Sequence, residues 1–274
     1  MNKKFNFISE EESKVSKEFI RMGYIIVDVE NQQLLDELRQ EVVDCVSKRA
    51  NIQSNNDPEL FLNEFHKKIK KDMLNDIRMA TFTHLNKLEW SMPSYYSLAE
   101  KFLNYLVGNE LVMQKQINLS IQMPEDATSV LSLHSDVYSG QSPFEINQWL
   151  PLVNCDKTKS MFILPPEHNK KLIKNFHIYE NKGGGMGKMY EDCEQLVKWI
   201  KIEYGQVLLF YSGLLHGNVI NKTSETRFSL NTRYKSLFSP YTMNGKGLGS
   251  FYNPITTKSM TKLGLSFTEP KGFE

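Results

Sequence analysis

Long apolar runs and an excess of charge of either sign are missing from this chain of 274 residues. No stretch approaches the roughly 20 consecutive apolar residues that a membrane-spanning helix needs, and the start of the chain has no apolar segment of signal-peptide length. Lys and Arg number 33 against 32 Asp and Glu, a net charge of +1. This balance gives no field that would attract nucleic acid or a membrane surface. We therefore expect a cytoplasmic protein that binds neither.

Cysteine is also scarce. The 3 cysteines, Cys45, Cys155 and Cys193, are far apart and form no Cys-x-x-Cys pair. A zinc cluster or a disulfide framework is therefore not expected, and the sequence predicts reduced thiols in a cytosol. Glycine does cluster at 183–187, but Met189 stands where a phosphate-binding loop needs Ser or Thr, so a mobile loop or lid is predicted there.

The spacing of apolar residues changes once along the chain. Up to residue 111 they recur every three or four positions, which predicts helices at 10–22, 31–49, 58–76 and 94–107. Polar and apolar residues alternate after that, which predicts strands at 112–122, 129–134, 144–153, 160–164, 197–202, 206–211 and 227–234. This order favours one mainly β domain over 1–274, a jelly-roll or cupin-like barrel at 112–236 flanked by helical support at 1–111. The segment 237–274 is predicted to be a lid or a subunit interface.

Two histidines and one aspartate stand out in the alternating half. His134-Ser-Asp136 places an imidazole and a carboxylate two positions apart, which on an extended strand projects both to one face. His216 lies just past the predicted strand 206–211. Two imidazoles and one carboxylate are the ligand set of the facial triad, which leaves open positions on a non-haem Fe(II). The alternative is coincidence, because most isolated His-x-Asp pairs are surface or turn residues.

Two of the 6 arginines fall in the predicted strand 227–234. Arg227 and Arg233 share its polar face, because alternate residues of a strand point the same way. A guanidinium binds a carboxylate through two parallel hydrogen bonds, so Arg227 is suited to the far carboxylate of a dicarboxylic acid. Each arginine has a simpler alternative. Arg227 is then a barrel-rim residue paired with an acid, and Arg233 is a salt-bridged surface residue instead of a contact to an anionic substrate group.

Further polar residues adjoin these in the predicted strands. Gln116, Asn118 and Gln122 alternate with apolar residues, and an amide offers donors and an acceptor either to a ligand or to the neighbouring backbone. Trp149 is most simply a core residue, with stacking on a sugar ring as the alternative.

A polar loop follows Asp136. It carries Tyr138, Ser139 and Gln141, which are either substrate contacts at the mouth of the site or turn residues around Gly140. The residues alone favour neither interpretation.

Together these features resemble the 2-oxoglutarate/Fe(II) dioxygenases, and within them the phytanoyl-CoA dioxygenase-like branch. The likeness is carried by His134-x-Asp136, the strand, turn and histidine of 208–216, and Asn221 with Arg227 behind it. The stretches 133–145 and 149–153 are most similar to oxygenases encoded in bacterial surface-carbohydrate gene clusters. The resemblance covers 112–236 well and 18–49 loosely.

The resemblance implies a double-stranded β-helix that binds Fe(II) through three ligands, His134, Asp136 and His216. Arg227 is the matching position for the arginine that binds the C5 carboxylate of 2-oxoglutarate. Gln116 and Asn118 are further cofactor contacts predicted from the strand alternation and their amide groups, not from the resemblance. The activity implied is oxidation, usually hydroxylation, of an unactivated C–H bond with O2 and 2-oxoglutarate. The presence of Asp136 argues against halogenation.

The substrate expected from the same resemblance is a small molecule: a sugar, a nucleotide-sugar or a surface-polysaccharide precursor. Residues suited to contact it are Gln122, Tyr138, Ser139, Gln141, Trp149 and Arg233. Two alternatives stay open. One is a hydroxylase of a free metabolite such as an amino acid or a phosphonate, and the other is a cupin-like sugar isomerase or binding protein that never uses O2. A homodimer is compatible with an interface at 237–274.

Overall fold

The computed structural model describes residues 7–181, 185–242 and 245–272 of the chain. The helices in these ranges are α1 (Glu10–Met22), α2 (Gln32–Ala50), α3 (Pro58–Asn63), α4 (Leu74–Leu85), α5 (Ser91–Ser97), α6 (Glu100–Leu106), α7 (Pro166–Lys174), α8 (Phe176–Asn181), α9 (Gly185–Cys193) and α10 (Ser259–Leu265). The strands are β1 (Tyr24–Asp28), β2 (Leu111–Gln114), β3 (Asn118–Gln122), β4 (Ile146–Pro151), β5 (Phe162–Ile163), β6 (Lys198–Trp199), β7 (Gln206–Tyr211), β8 (His216–Gly217), β9 (Arg227–Ser236) and β10 (Tyr252–Pro254).

These strands form two antiparallel sheets. The main sheet has the order β1-β7-β4-β9-β2-β10, and β3 also pairs with β9. Strands β2 and β3 therefore share one edge of β9, each pairing with a different half of it. The smaller sheet has the order β6-β5-β8, and an isolated bridge between His134 and His216 extends it.

Strand β9 determines which polar residues share a face, because β4 lies along one side of it and β2 and β3 along the other. Directly opposed residues of neighbouring strands project to the same face. Three polar residues of β9 have such opposed neighbours. On the β3 side, Arg227 lies opposite Gln122 and Asn231 opposite Asn118. On the β4 side, Asn231 lies opposite Trp149 and Arg233 opposite Asn147. One face of β9 is therefore polar along its length, as the alternation predicts.

The other face of β9 packs against the N-terminal helices. Phe228 contacts Phe65 edge-on, with 5.3 Å between the ring centroids. The buried hydroxyl of Tyr95 lies 3.0 Å from the carbonyl oxygen of Gln148 and 3.1 Å from that of Leu230. Helix α2 buries the apolar stripe of its sequence, Leu35, Leu38, Val42 and Val46. The helical support thus holds the outer face of the main sheet.

Two strand predictions are wrong in detail. Segment 112–122 is not one strand, because the chain bends between β2 and β3 and leaves Gln116 exposed in the bend. Segment 129–134 is irregular up to the bridge at His134. Just before it, the Asp126 carboxylate accepts hydrogen bonds from the next residues of the turn, and such local bonds compete with strand pairing.

The helices also differ from the predictions. Segment 58–76 breaks into α3, two 3₁₀ turns and α4, with extended backbone at Lys70 (φ −82°, ψ 149°), and segment 94–107 breaks into α5 and α6. Helices α7, α8 and α9 fill a region where none is predicted. Pro166 occupies the first helical position of α7, where its fixed φ and missing N–H fit. Of the loop predicted at 183–187, residues 183–184 lie outside the described residues, and the rest belongs to α9.

The C-terminal segment joins the main sheet through β10, which pairs with β2. Beyond it, α10 leaves Met260, Leu263 and Leu265 exposed. A lid or an interface at 237–274 stays a prediction. Within the described ranges, no helix combines the length and the apolar composition needed to cross a bilayer.

Replacing Tyr95 with Phe tests how the helices hold the sheet. The variant removes a buried hydroxyl that serves two carbonyl groups, so we expect a loss of about 1–3 kcal/mol in the free energy of unfolding, measured by urea denaturation. The control is Tyr105→Phe, whose hydroxyl bonds to Glu11 at an exposed position, and it should change stability by less than about 0.5 kcal/mol. Equal losses in the two variants would contradict this role for Tyr95.

Candidate metal centre

The two histidines of the sequence motif meet because their backbones pair. The N–H of His134 donates to the carbonyl of His216 at 2.9 Å, and the reverse bond measures 2.8 Å. Their ring centroids lie 4.3 Å apart. Asp136 begins the 3₁₀ turn Asp136–Ser139 immediately after the extended Ser135. Its carboxylate therefore lies beside both rings.

The three side chains are close enough to share one ion. Nε2 of His134 lies 3.8 Å from Oδ1 of Asp136, and Nε2 of His216 lies 4.0 Å from Oδ2. One ligand atom from each residue falls within 4.8 Å of the others. Metal–nitrogen and metal–oxygen bonds of about 2.0–2.2 Å would bridge such gaps. The cluster thus fits a single metal ion.

The second nitrogen of each histidine is fixed by the backbone. Nδ1 of His134 lies 2.8 Å from the carbonyl oxygen of Ser132, and Nδ1 of His216 lies 2.8 Å from that of Leu214. A carbonyl only accepts, so in each neutral ring Nδ1 carries the proton and Nε2 has the lone pair. This tautomer directs both Nε2 atoms toward a metal, as outer partners of metal-binding histidines do.

The charges of the cluster also suit a cation. Burial disfavours a charged Asp136, but the positive charge of Arg233 and the influence of His216 outweigh it and lower the pKa of Asp136 to about 2. Burial, followed by the neighbouring His134, lowers the pKa of His216 to about 4. At neutral pH the carboxylate is ionised and His216 is neutral, which are the forms that bind metal.

Asp136 has two further partners that the sequence does not reveal. Nη2 and Nε of Arg233 donate to Oδ1 and Oδ2 at 2.7 and 3.3 Å, and the amide of Asn147 donates to Oδ2 at 2.8 Å. Nη1 of Arg233 donates to Oε1 of Gln114 at 2.9 Å. The Arg233 side chain is 14% exposed. It is salt-bridged, as the simpler prediction has it, but inside the site and not on the surface.

Arg227 is a buried cation of a different kind. It is 3% exposed, and its guanidinium donates to the carbonyl of Ser160 at 3.3 Å and to the hydroxyl of Ser120 at 3.1 Å. Its Nε has no hydrogen-bond partner among the described residues, and no carboxylate there pairs with it. The alternative of a rim arginine paired with an acid is therefore wrong. Burial lowers the pKa of Arg227 to about 10, so it stays charged at neutral pH.

A cavity of about 110 Å³ extends from this arginine to His216, one member of the triad. His216 and Arg227 both line it, together with Ser120, Ser129, Leu131, Trp149, Met161, Phe210, Gly217, Asn218 and Asn231. An uncompensated buried charge is costly. A cavity that contains one beside a metal-binding cluster is therefore suited to an anion that reaches both.

Only some of the other predicted site residues border this cavity. Trp149 lines it, and Asn118 lies directly opposite Asn231, which also lines it. Gln122 is buried and donates to the carbonyl of Val219 at 2.6 Å. Gln116 lies in the exposed bend, so the interpretation of Gln116 as an inward-facing cofactor contact is wrong.

The loop after Asp136 forms part of the protein surface beside the triad. Tyr138 is 43% exposed, and its ring lies 4.8 Å from that of Phe176. Ser139 is exposed, and its carbonyl accepts a hydrogen bond from Lys246 at 2.8 Å. Gln141 is buried, and its Oε1 has no partner among the described residues.

No family model and no curated protein matches the chain. Solved structures do match it. The nickel complex of the non-haem monooxygenase ThoJ aligns with a TM-score of 0.54 and 15% identity, over 92% of this chain and 92% of that chain. HygX from Streptomyces hygroscopicus, with nickel and 2-oxoglutarate bound, aligns with a TM-score of 0.52 and 13% identity, over 90% and 98%. The apoform of EctD from S. alaskensis aligns with a TM-score of 0.52 and 15% identity, over 85% and 80%.

These likenesses confirm the predicted fold class, antiparallel sheets of the cupin-like type with helical support. They do not confirm membership of the phytanoyl-CoA dioxygenase-like branch, which stays a prediction.

Substituting either histidine tests the metal centre. His134→Ala and His216→Ala each remove one of three protein ligands, so Ni(II) affinity should fall by more than the roughly 10–100-fold that loss of an outer partner costs. Isothermal titration calorimetry measures this. The control His84→Ala removes a histidine that pairs with Glu41 at 2.7 Å and should bind Ni(II) as the parent does. Parent-like affinity in either triad variant would contradict the assignment.

Proposed function

We propose that the protein is an Fe(II)- and 2-oxoglutarate-dependent dioxygenase that oxidises a C–H bond of a small molecule. The observation that supports this best is a charged, buried Arg227 that has no carboxylate partner among the described residues and lines the same small cavity as His216 of the His–Asp–His cluster. A metal site alone fits many proteins. A metal site joined to a buried cation that no described carboxylate neutralises fits a ligand that carries an anion at each end.

The donor set favours iron among the metals. Two imidazoles and one carboxylate with open positions are typical of non-haem Fe(II) oxygenases, and His134, Asp136 and His216 would hold the ion. When bound, Fe(II) with 2-oxoglutarate supplies the activation of O2 that oxidises an unactivated C–H bond and yields succinate and CO2. The chain's own task is to position the reactants and to exclude competing ones.

The 2-oxoglutarate would lie between the metal and Arg227. Its far carboxylate accepts from the guanidinium, and the Ser120 hydroxyl, already 3.1 Å from Nη2, is placed to join that contact. Asn231 and Trp149 line the same cavity, and Asn118 is the further contact proposed here. HygX has nickel and 2-oxoglutarate bound in its structure, and EctD has been solved with 2-oxoglutarate and 5-hydroxyectoine.

For the substrate we propose a carbohydrate, such as a nucleotide-sugar or a surface-polysaccharide precursor. Tyr138, in the turn that Asp136 begins, forms an aromatic pair with Phe176, with 4.8 Å between their centroids. Aromatic faces suit the C–H faces of sugar rings. Ser139 and Oε1 of Gln141, which has no hydrogen-bond partner among the described residues, suit hydroxyl groups. We extend the proposal to a homodimer through 237–274, which size-exclusion chromatography with light scattering would test.

Anaerobic titration with Fe(II) and 2-oxoglutarate tests the proposed activity. A visible charge-transfer band should appear only when both are present. A protein that binds the metal without this band would be a cupin-like binding protein or isomerase instead.

A succinate-release screen over sugars, nucleotide-sugars, amino acids and phosphonates then identifies the substrate class, since the correct class should raise succinate above the level without substrate.

Replacing Arg227 with Ala tests the co-substrate site separately from the metal. The variant loses charge-assisted hydrogen bonds of about 1.5–3 kcal/mol, so 2-oxoglutarate should bind roughly 10–100-fold more weakly. Ni(II) affinity should stay close to that of the parent. The control is Arg49→Ala, which removes an exposed arginine that pairs with Asp76. Unchanged 2-oxoglutarate affinity in Arg227→Ala would contradict the proposed role.

A further inference from the structure

The carboxylate of Asp136 accepts three hydrogen bonds from side chains. Two come from Arg233, at 2.7 Å to Oδ1 and 3.3 Å to Oδ2, and one comes from Asn147, at 2.8 Å to Oδ2. An ionised carboxylate has about four lone-pair sites. Three are therefore occupied before any metal arrives, and Oδ1, with one donor, is the less occupied oxygen.

We propose that Arg233 is a positioning residue, which orients Asp136 so that it offers a metal ion one acceptor site and no more. The inference deepens the proposed function and rests on it. A carboxylate that binds through both oxygens takes two positions on a metal. One that binds through a single oxygen leaves the extra position for a co-substrate or O2.

Arg233 can do this because its own position is fixed from three strands. It projects from β9 directly opposite Asn147 of β4, and its Nη1 donates to Gln114 of β2 at 2.9 Å. Two nitrogens of the guanidinium thus meet the carboxylate while the third is anchored elsewhere. The planar fork of arginine allows this division of donors, and the single ammonium of lysine does not.

The same contacts separate the two arginines of β9. The charge of Arg233 is paired with Asp136, and three of its five N–H donors bond to Asp136 and Gln114. Arg227, in contrast, has no acid partner among the described residues. An anionic group of the substrate is therefore not expected at Arg233. This replaces the prediction of Arg233 as a substrate contact with a role that acts through the metal ligand.

A charge effect and a positioning effect predict different results for Arg233→Lys. A positive charge near the metal repels it, and lysine keeps that charge, so a pure charge effect leaves Ni(II) affinity unchanged. Lysine cannot reproduce the fork, so positioning predicts Ni(II) binding weaker by roughly 10–100-fold, the usual loss when an outer partner of a metal ligand is removed. The charge-transfer band of the Fe(II)–2-oxoglutarate complex should also shift or weaken.

The chain provides a matched control. Arg49 makes the same two-pronged contact with Asp76, at 2.6 Å from Nε and from Nη2, at an exposed position. Arg49→Lys should leave Ni(II) affinity and the band unchanged. Calorimetric titration with Ni(II) alone, together with anaerobic absorption spectra, measures both variants, and circular dichroism reports whether they are folded.

A second variant decides the matter where Arg233→Lys does not fold. Gln114→Met removes only the anchor of Nη1, worth one hydrogen bond, and should weaken Ni(II) binding by about 2–10-fold. Parent-like Ni(II) binding in a folded Arg233→Lys, or in Gln114→Met if the lysine variant is unfolded, overturns the positioning role. Failure of the parent itself to bind Ni(II) would instead overturn the proposed function.

Discussion

The register of β9 against β3 and β4 is the constraint on which the rest of the site depends. A slip of one residue would turn each of its side chains to the opposite face of the sheet. In the observed register Arg227, Asn231 and Arg233 project to the side where the triad lies, while Phe228 packs against the helices. The helical support and the polar interior are thus two consequences of one pairing pattern.

The two arginines of β9 differ in whether a carboxylate pairs with their charge. Arg233 and Asp136 neutralise each other at 2.7 Å. At this site, a bound divalent metal and Arg227 would then remain as positive charges, and no described carboxylate pairs with Arg227. A dianion with carboxylates at both ends matches that distribution. This complementarity is why the Arg227 guanidinium, more than the triad, supports the proposal of 2-oxoglutarate over a metal ligand of another kind.

The sequence predicts best the residues that a local pattern identifies, such as a pair two positions apart or a residue at the end of a predicted strand. His134 and Asp136 are two residues apart, His216 follows a clear strand, and Arg227 opens another, so these four side chains can be identified without coordinates. Gln116 shows the limit, because a bend between β2 and β3 breaks the alternation that would turn it inward. Helix α7 shows another, since only the proline at its start indicates it.

What the sequence does not provide is the pairing of distant segments. Asn147 lies opposite Arg233, and Gln114 accepts a hydrogen bond from it, only because β4 and β2 lie on either side of β9. No spacing along the chain encodes that arrangement. The same applies to the cavity that joins His216 to Arg227. Each residue is visible in the sequence, but its partner is determined by the sheet.

A crystal structure of the protein with Ni(II) and 2-oxoglutarate is the most direct test of the central claim. It should show the metal bound by Nε2 of His134, one oxygen of Asp136 and Nε2 of His216, with the far carboxylate of 2-oxoglutarate on Arg227. A metal bound elsewhere, or a 2-oxoglutarate that does not contact Arg227, would contradict it.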